Sequence, residues 1–527
     1  ARTARSRAMS TDAQRLLAEK ITELEAAIVL AAGISIDALA DTETPIPGST
    51  LQIATRVYGI ARSGGEIVDV NLRVPSTWVT SESSVTGLSN EENYRRRDQA
   101  DAEFYFAAAL PPDAKPTQPY WLELPRERFT YDWSQSGEAQ TQPFQATLLV
   151  AEVTLNVAGQ QVMLEKEVEY RYVDRVRGEI RRRIDVVPAV SVVTATDSLI
   201  VSTSSAERSY EMLLTIRNNS RAAVTGSAGF TVPADWIIDP VAADFSLSAS
   251  PASTTLAFKV TLPERVMAGN YQLDGAATVD GAIYQQTMRE IAYPHIQTHR
   301  TYSRSSTDFK IIDVNVAPVN VGYVMGSGDK VPEALRRLGL QVTLLDDEAL
   351  TTGDLSRFET IVIGIRASQT RPAFVANNQR LLDYAAQGGT LIVQYQQPDF
   401  IAKALAPYPA SMDGNVRVVD ETAPIVILQP DHPVFNYPNK IDAADFDGWV
   451  QERNNYNFTS FDRDRYVPLT ESHDDGEPES EGGMLYAEIG EGHYIYTSYS
   501  WFRQLPNGVP GAYRLFANLL SLPAAPN

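Results

Sequence analysis

Two histidine–aspartate pairs are the clearest acid–base groups in this sequence. His432 follows Asp431, and His473 precedes two aspartates. An imidazole beside a carboxylate can take a proton from a nucleophile when a hydroxyl or thiol lies within hydrogen-bond reach. The residues after His473 form an acidic, turn-rich run that ends at Glu481, which is typical of a solvated loop. His432 is therefore the candidate base, and it needs a nucleophile from elsewhere in the chain.

Metal and phosphate chemistry have weaker signals. His295 and His299 are spaced as metal ligands on a helix would be, but Pro294 disfavours a helix there and no third ligand is near in sequence. The turn 326–328 would point backbone N–H groups toward an anion. It lacks the third glycine of a dinucleotide-binding turn, and Asp329 would repel phosphate. The sequence predicts no metal, nucleotide or other cofactor.

The position expected for a nucleophile holds amides and a phenol. Residues 388–397 read G-G-T-L-I-V-Q-Y-Q-Q, in which two glycines end a helix and a buried strand leads to a polar turn. Folds related to the class I glutamine amidotransferases place a Cys or Ser on that turn, whereas this chain has no cysteine at all. We therefore predict no catalytic residue. The candidate ligand-pocket residues are Gln394, Tyr395, Gln396, His432, Tyr120 and Trp121.

The region 316–527 has the pattern of an α/β domain. Short apolar runs alternate with helical segments in the order β-α-β-β-α-β. The predicted strands are 320–325, 342–345, 360–364 and 390–394, and the predicted helices are 330–338 and 374–386. This order is typical of a flavodoxin-like or amidotransferase-like sheet with strand 390–394 at its centre.

The middle of the chain alternates apolar and polar residues with a period of two. These runs, separated by Gly, Pro, Ser and Asn, predict two immunoglobulin-like β-sandwiches at 41–186 and 187–296, followed by a linker at 297–315. Each sandwich contains a strand that ends in Pro-x-x-Trp, with Trp78 in the first and Trp236 in the second. We expect both tryptophans to lie in the cores.

Two clusters in the first sandwich have two interpretations each. Tyr120 and Trp121 either close one end of the core or grip a sugar or peptide at the surface. The run 181–183 of three arginines is either a docking patch or a solvated face balanced by Asp174 and Glu179. The sequence leaves both questions open.

Residues 1–40 combine a basic arm with an amphipathic helix. Arg2, Arg5 and Arg7 precede Ser10 with no acidic residue among them. They form either a frayed, solvated end or a contact with anionic lipid or an acidic partner. Ser10 is a suitable N-cap for a helix over about 12–32, whose apolar residues recur at helical spacing.

Composition excludes several classes of protein. The chain of 527 residues has 45 Lys and Arg against 66 Asp and Glu, a net charge of −21, which argues against a nucleic-acid partner. Nowhere does the sequence contain an unbroken run of about 18 apolar residues, the length that a membrane-spanning helix needs. The absence of cysteine fits an oxidising, extracytoplasmic compartment. The partners we expect are other proteins or glycans.

Several motifs in a consistent order resemble the C-terminal region of large bacterial PIG-L (LmbE-like) family deacetylases. They are residues 116–122, 293–296, 363–367, 377–384, 388–398, 431–436, 445–453 and 502–518. The resemblance runs from the first helix onward. It implies an exported protein, which we expect in the periplasm, with that family's accessory architecture of two immunoglobulin-like modules and an amidotransferase-like domain.

The catalytic motif of the same family is not found in this sequence. The family's metal site carries A-H-P-D-D in a separate N-terminal domain, whereas His432 and Pro433 are followed here by Val434, and His473 lacks the preceding strand and proline. No zinc ligand or catalytic aspartate can be assigned by resemblance. The resemblance therefore implies the accessory region without its enzyme.

Two hypotheses of function remain from the sequence. The first is a non-enzymatic extracytoplasmic scaffold or binding subunit on the outer face of a membrane protein complex; a photosynthetic reaction centre with its antenna is a conjecture that no motif carries. The second is the non-catalytic, glycan-binding half of a PIG-L type carbohydrate N-deacetylase. A hydrolase in the α/β domain would need the nucleophile that the turn after residue 393 lacks.

Overall fold

The computed structural model describes residue 4 and residues 10–85, 88, 99–127, 130–140 and 142–526. It comprises two β-sandwiches and a C-terminal α/β domain, preceded by a long helix. The basic-arm residues Arg2, Arg5 and Arg7 lie outside the described part of the chain. Within that part, no helix is both long and apolar enough to cross a membrane.

The predicted N-terminal helix is present as α1 (Thr11–Ala31). Ser10 caps it, because the Ser10 hydroxyl accepts a hydrogen bond from the Ala13 N–H at 3.1 Å. The helix packs against the first sandwich with Val29 buried, while Leu24 stays 54% exposed. Only part of its apolar face is therefore covered by this chain.

The first sandwich packs a six-stranded sheet against a three-stranded sheet. The strand order is β4-β5-β2-β1-β8-β9 in one sheet and β3-β6-β7 in the other. Strand β1 belongs to this domain although the sequence placed residues 35–40 with the helix. The elements are β1 (Ser35–Ala40), β2 (Thr50–Tyr58), α2 (Ile60–Ser63), β3 (Glu66–Arg73), β4 (Val79–Glu82), β5 (Ala102–Ala109), β6 (Val150–Val157), β7 (Gln160–Glu167), β8 (Glu169–Asp174) and β9 (Gly178–Arg183), with 3₁₀ turns at Tyr120–Leu122 and Gly137–Ala139.

The second sandwich is formed by the sheets β10-β12-β16-β14 and β11-β21-β17-β13-β15, with β18 paired to β17 and a hairpin β19-β20. Trp78 and Trp236 are buried in the two sandwich cores, and each donates its backbone N–H to the proline three residues earlier, which confirms the shared Pro-x-x-Trp prediction. The strands are β10 (Val190–Thr194), β11 (Ser198–Ser202), β12 (Ser209–Asn218), β13 (Val224–Thr231), β14 (Ile237–Asp239), β15 (Ala243–Leu247), β16 (Ala252–Thr261), β17 (Gly269–Val279), β18 (Ala282–Tyr284), β19 (Gln286–Ile291), β20 (His299–Arg304) and β21 (Ser306–Ile312).

The region expected as a linker, 297–315, differs from that prediction. It contains β20 and β21, and β21 pairs with both β11 and β17 inside the second sandwich. Phe309 and Ile311, two residues apart on β21, are both buried in the sandwich core. Their alternation is the signal of a half-buried strand, which the proline and histidines at 294–299 obscured.

The C-terminal domain is an α/β layer around a seven-stranded sheet in the order β23-β22-β24-β25-β34-β33-β31. Its first five strands are parallel, and β25 lies at the centre, as the sequence predicted. Two buried clusters flank the sheet. The helices are α3 (Val331–Arg337), α4 (Asp347–Thr352), α5 (Ala367–Thr370), α6 (Pro372–Ala386), α7 (Asp399–Ala402), α8 (Trp501–Gln504) and α9 (Pro510–Ser521).

Six short strands between β25 and β33 form three two-stranded sheets outside the main sheet of this domain. The strands are β22 (Asn320–Val324), β23 (Gln341–Leu344), β24 (Thr360–Ile363), β25 (Thr390–Gln394), β26 (Ala410–Ser411), β27 (Arg417–Val418), β28 (Ile425–Ile427), β29 (Asn454–Asn455), β30 (Ser460–Phe461), β31 (Tyr466–Pro468), β32 (Thr470–Ser472), β33 (Met484–Ile489) and β34 (Gly492–Thr497); 3₁₀ turns lie at Pro433–Phe435, Ala443–Phe446 and Leu522–Ala524.

The two sandwiches meet through charged groups. Arg300 of β20 is 3% exposed and donates to Asp185 at 2.6 Å and to Glu43 of the first sandwich. Arg221 pairs with Asp41 at 2.5 Å across the same boundary. We call these contacts the ionic joint.

The second sandwich meets the α/β domain through apolar groups. Ile200, Ile312 and Val314 belong to the same buried cluster as residues of α9. A Cβ placed on Gly508 would lie 3.2 Å from the Ile200 side chain, so the surfaces are in close contact. We call this boundary the apolar joint.

Candidate functional site at the carboxyl edge of the sheet

Strands β24, β25 and β34 end side by side, and the residues that follow them form the candidate site. The register pairs Ile363 with Val393 and Gln394 with Thr497, so the three carboxyl ends lie at one edge. Open α/β sheets bind their ligands outside the carboxyl ends of the strands. Three aromatic rings and two arginines occupy this edge.

The aromatic part is a group of three rings. The Tyr395 ring centroid lies 5.6 Å from that of Tyr456 and 5.9 Å from that of Phe502. Tyr395 is 8% exposed, and the other two rings are half-buried. Burial raises the pKa of the Tyr395 phenol above its usual value, so the group stays protonated as a hydrogen-bond donor near neutral pH.

Polar groups border the rings on both sides. With the amide of Gln397 oriented to satisfy its neighbours, its oxygen accepts from Arg366 at 2.6 Å. On the other side, the Glu452 carboxylate accepts from the Arg503 guanidinium at 2.9 Å. The edge therefore offers donors and acceptors beside apolar ring surface, which is the composition of a binding site for a polar ligand.

Three residues at this edge have left-handed backbone conformations. Arg366 has φ 55°, Gln451 has φ 73° and Tyr456 has φ 63°. They are three of the six non-glycine residues with positive φ in the described ranges. Such conformations cost energy and concentrate at functional sites, which supports the choice of this edge.

Two predicted pocket residues, Gln394 and Gln396, are fully buried at the turn after β25. Gln394 donates to the Tyr323 hydroxyl at 2.9 Å, and Gln396 donates to the Gly364 carbonyl at 2.9 Å and accepts from the Ser368 N–H. Both amides therefore stabilise the turn from inside, and only Tyr395 of the predicted set lies beside the polar edge.

His432 does not join this group, contrary to the sequence interpretation. Its ring packs 4.6 Å from that of Tyr486, and Tyr486 hydrogen bonds to His493. His493 pairs with Thr390, at the amino end of β25, whereas Gln394 is at the carboxyl end. Burial, together with the charge of His493, lowers the pKa of His432 to about 4, so it is neutral near pH 7.

Tyr120 and Trp121 lie in the first sandwich, far along the chain from the α/β edge. Tyr120 is 4% exposed and donates its hydroxyl to the Gln142 carbonyl at 3.0 Å, and its ring contacts Trp121 edge to face. Tyr120 thus fits the interpretation in which it closes one end of the sandwich core, and this pair is separate from the predicted pocket residues of the α/β domain.

The remaining candidates have structural roles. Asp474 accepts from the backbone N–H groups of Val419 and Asp420, while His473 bonds to Glu471 at 2.8 Å. Asp329 accepts from the buried Tyr323 hydroxyl. Across the described residues, no group of three or more acidic or histidine side chains is placed to hold a metal ion.

Sequence reasoning missed most of the edge. Tyr456, Phe502, Arg366 and Arg503 come from three separate segments of the chain, and none belongs to a local motif of a binding site. The polar run Asn454 to Asn457 marks an irregular turn, which was the available signal for Tyr456. The rest depends on long-range contacts.

Comparisons with known proteins leave the family open. No protein-family model and no curated protein matches this chain. A β-galactosidase from Rahnella sp. R3 is similar over 41% of this chain and 32% of its own, with 10% identity and a TM-score of 0.26. The β-galactosidase from Bacillus circulans sp. alkalophilus is similar over 40% of this chain and 32% of its own, with 12% identity and a TM-score of 0.26. The periplasmic chaperone SfaE is similar over 25% of this chain and 66% of its own, with 11% identity and a TM-score of 0.15. This chain spans less than two thirds of the length of each of these proteins.

Proposed function

We propose that this protein is a non-enzymatic, extracytoplasmic scaffold or binding subunit that sits on the outer face of a membrane protein complex. The observation that carries the proposal is that both domain boundaries are closed by buried contacts. Arg300 joins the two sandwiches, and Ile200 and Ile312 join the second sandwich to the α/β domain. A chain built in this way presents its surfaces in a fixed relative orientation, as a scaffold requires.

The size of the surface supports the same proposal. The chain exposes 27035 Å². A compact monomer of 58.0 kDa exposes about 19,000 Å² by the usual scaling of surface with mass. A chain divided into several domains exposes more than one compact globule of the same mass, and a stable interface would use roughly 800 Å² of this surface on each side.

We assign the sandwiches to the immunoglobulin-like class and the C-terminal domain to the amidotransferase-like, flavodoxin-like class. The parallel strands β23-β22-β24-β25-β34 stand in the order 2-1-3-4-5, which supports the flavodoxin-like assignment. We also propose that the chain corresponds to the accessory region of PIG-L type deacetylases, on the sequence motifs given above.

The test is purification of the tagged chain from native membranes in mild detergent, with mass spectrometry of each gradient fraction. We expect co-migration at fixed stoichiometry with integral membrane subunits; the conjectured reaction centre with antenna is one such complex. The Arg300→Met variant, which loosens the ionic joint, should reduce co-migration, whereas Arg304→Met, which removes an exposed arginine, should not. Recovery of the wild-type chain alone, or only with a deacetylase, would contradict the proposal.

The aromatic edge favours a second candidate function, glycan binding. Rings of Tyr456 and Phe502 beside the amide of Gln397 and two guanidinium groups suit sugar faces and hydroxyls. Calorimetric titration with a panel of neutral and N-acetylated oligosaccharides tests this function. Binding should be lost in Tyr456→Ala and kept in Tyr293→Ala, an exposed tyrosine of the second sandwich. Equal affinity of both variants would rule out the edge.

A further inference from the structure

A small, partly open cavity lies at the ionic joint. About 10 Å³ of it can be occupied by the centre of a water molecule. Its walls come from the first sandwich, the segment that leads into the second, and strand β20. The lining includes Phe144, Gln145, Arg183, Asp185, Thr298 and Arg300.

Three polar atoms of this lining have no partner within the protein. They are Nε of Arg183, Nε of Arg300 and Oε1 of Gln145, and all three are buried. Arg300 as a whole is 97% buried, since its exposure is 3%. A buried donor or acceptor that stays unpaired is costly, so each of these atoms requires a partner.

Hydrogen bonds from their terminal nitrogens orient the two guanidinium groups. The terminal nitrogens of Arg300 donate to Asp185 at 2.6 Å, to Glu290 at 2.9 Å and to Glu43. Arg183 donates from Nη1 to the Gln145 carbonyl at 3.2 Å. Their Nε–H groups are therefore held in place beside the cavity.

The unpaired atoms define the chemistry of the occupant. It must accept from two N–H donors and donate to one carbonyl-type oxygen. A water molecule does both, needs a space of about this volume, and typically makes about three hydrogen bonds when buried. A halide ion would leave the Gln145 oxygen unpaired and would lie beside the Asp185 carboxylate, which also lines the cavity.

We propose that the ionic joint contains a binding site for one water molecule, held by Arg183, Arg300 and Gln145. The water connects Arg183 of the first sandwich to Arg300 of the second. It thus completes the contacts that fix the orientation of the two domains. This inference concerns the joint itself and does not depend on the proposed scaffold function.

The first experiment is crystallisation of the whole chain from a bromide-containing solution, with diffraction at the bromine edge. In the wild type we expect one density peak at hydrogen-bond distance, about 2.7–3.2 Å, from all three atoms and with no anomalous signal. The peak should be lost in Gln145→Leu and kept in Gln142→Leu, a matched change at an exposed glutamine nearby.

Three results would overturn the proposal. An anomalous peak in the cavity would identify a halide ion. An empty cavity would show that no occupant is needed. Direct pairing of the Arg183 Nε–H with the Gln145 side chain would show that the protein satisfies these atoms itself.

A solution measurement covers variants that do not crystallise. Relaxation dispersion of oxygen-17 in water counts buried waters that exchange slowly. Gln145→Leu should contain one fewer such water than both the wild type and Gln142→Leu. An equal count in all three proteins would contradict the site, and a circular dichroism spectrum unlike that of the wild type would show that the loss came from misfolding.

Discussion

The ionic joint and the apolar joint each connect two neighbouring domains, but through different kinds of contact. The first joins two sandwiches through Arg300, Asp185 and Glu43, whereas the second joins a sandwich to the α/β domain through Ile200, Ile312 and the residues around α9. Buried charges have few acceptable geometries, so they fix direction; apolar contacts add stability in proportion to buried area. The difference teaches that the two boundaries of one chain can be closed by different kinds of buried contact.

The largest effect should follow from breaking the ionic joint with Arg300→Met. Three carboxylates, those of Asp185, Glu43 and Glu290, lose their shared cation, and removing one partner of a buried ion pair costs about 3–5 kcal/mol. Urea unfolding should show this loss, and hydrogen exchange should locate it in β20 and the segment around Asp185. A change below about 1 kcal/mol would mean that the pair is solvated.

The next largest effect should come from the apolar joint. Ile312 is 1% exposed, so Ile312→Ala removes buried methyl groups and leaves a cavity, at a cost of about 2–5 kcal/mol. Hydrogen exchange should rise in β21 and α9 while β20 keeps its protection. The control is Ile237→Ala, since Ile237 is 66% exposed and its loss should change stability by about 0.5 kcal/mol or less. Increased exchange in β20 would show that the two joints are coupled.

Local sequence signals were sufficient where a single segment decides the structure. Strand β25 begins and ends at the predicted residues because an apolar run follows two helix-ending glycines. The cap at Ser10 and the cores around Trp78 and Trp236 were also predicted, since each depends on residues a few positions apart. The α/β order followed from the same kind of signal.

Structure that depends on distant segments was not predictable in the same way. Arg300 and Glu43 are 257 residues apart, and nothing near either residue indicates the other. The ligand pocket expected from the sequence was wrong in part for the same reason. His432 was grouped with Gln394 by chemical type, but the strand register places His432 at the opposite end of β25. Residue type suggested the chemistry, and topology decided which groups meet.

Acid should lower the stability of the α/β domain through His432, which lies outside both joints. In the folded chain its pKa is about 4, whereas an unfolded histidine titrates near 6.5. Below about pH 6.5 the unfolded chain therefore binds the proton first, and stability falls until the pH passes about 4. The wild type should lose more stability between pH 7 and 4.5 than His432→Gln does. Equal losses would mean that His432 is more solvated than its packing indicates.

The smallest effect should come from breaking the Arg221–Asp41 ion pair of the ionic joint, in which only the aspartate is buried. Arg221 is 56% exposed at its side chain, and its partner Asp41 also accepts from the Gln52 N–H at 3.1 Å. Asp41 keeps that hydrogen bond in Arg221→Ala, so we expect a loss of about 1 kcal/mol or less, reduced further by salt. Urea unfolding at low and high salt measures it. If Arg221→Ala matched Arg300→Met, the number of ion pairs across the boundary, and not the burial of one arginine, would determine how the sandwiches are held.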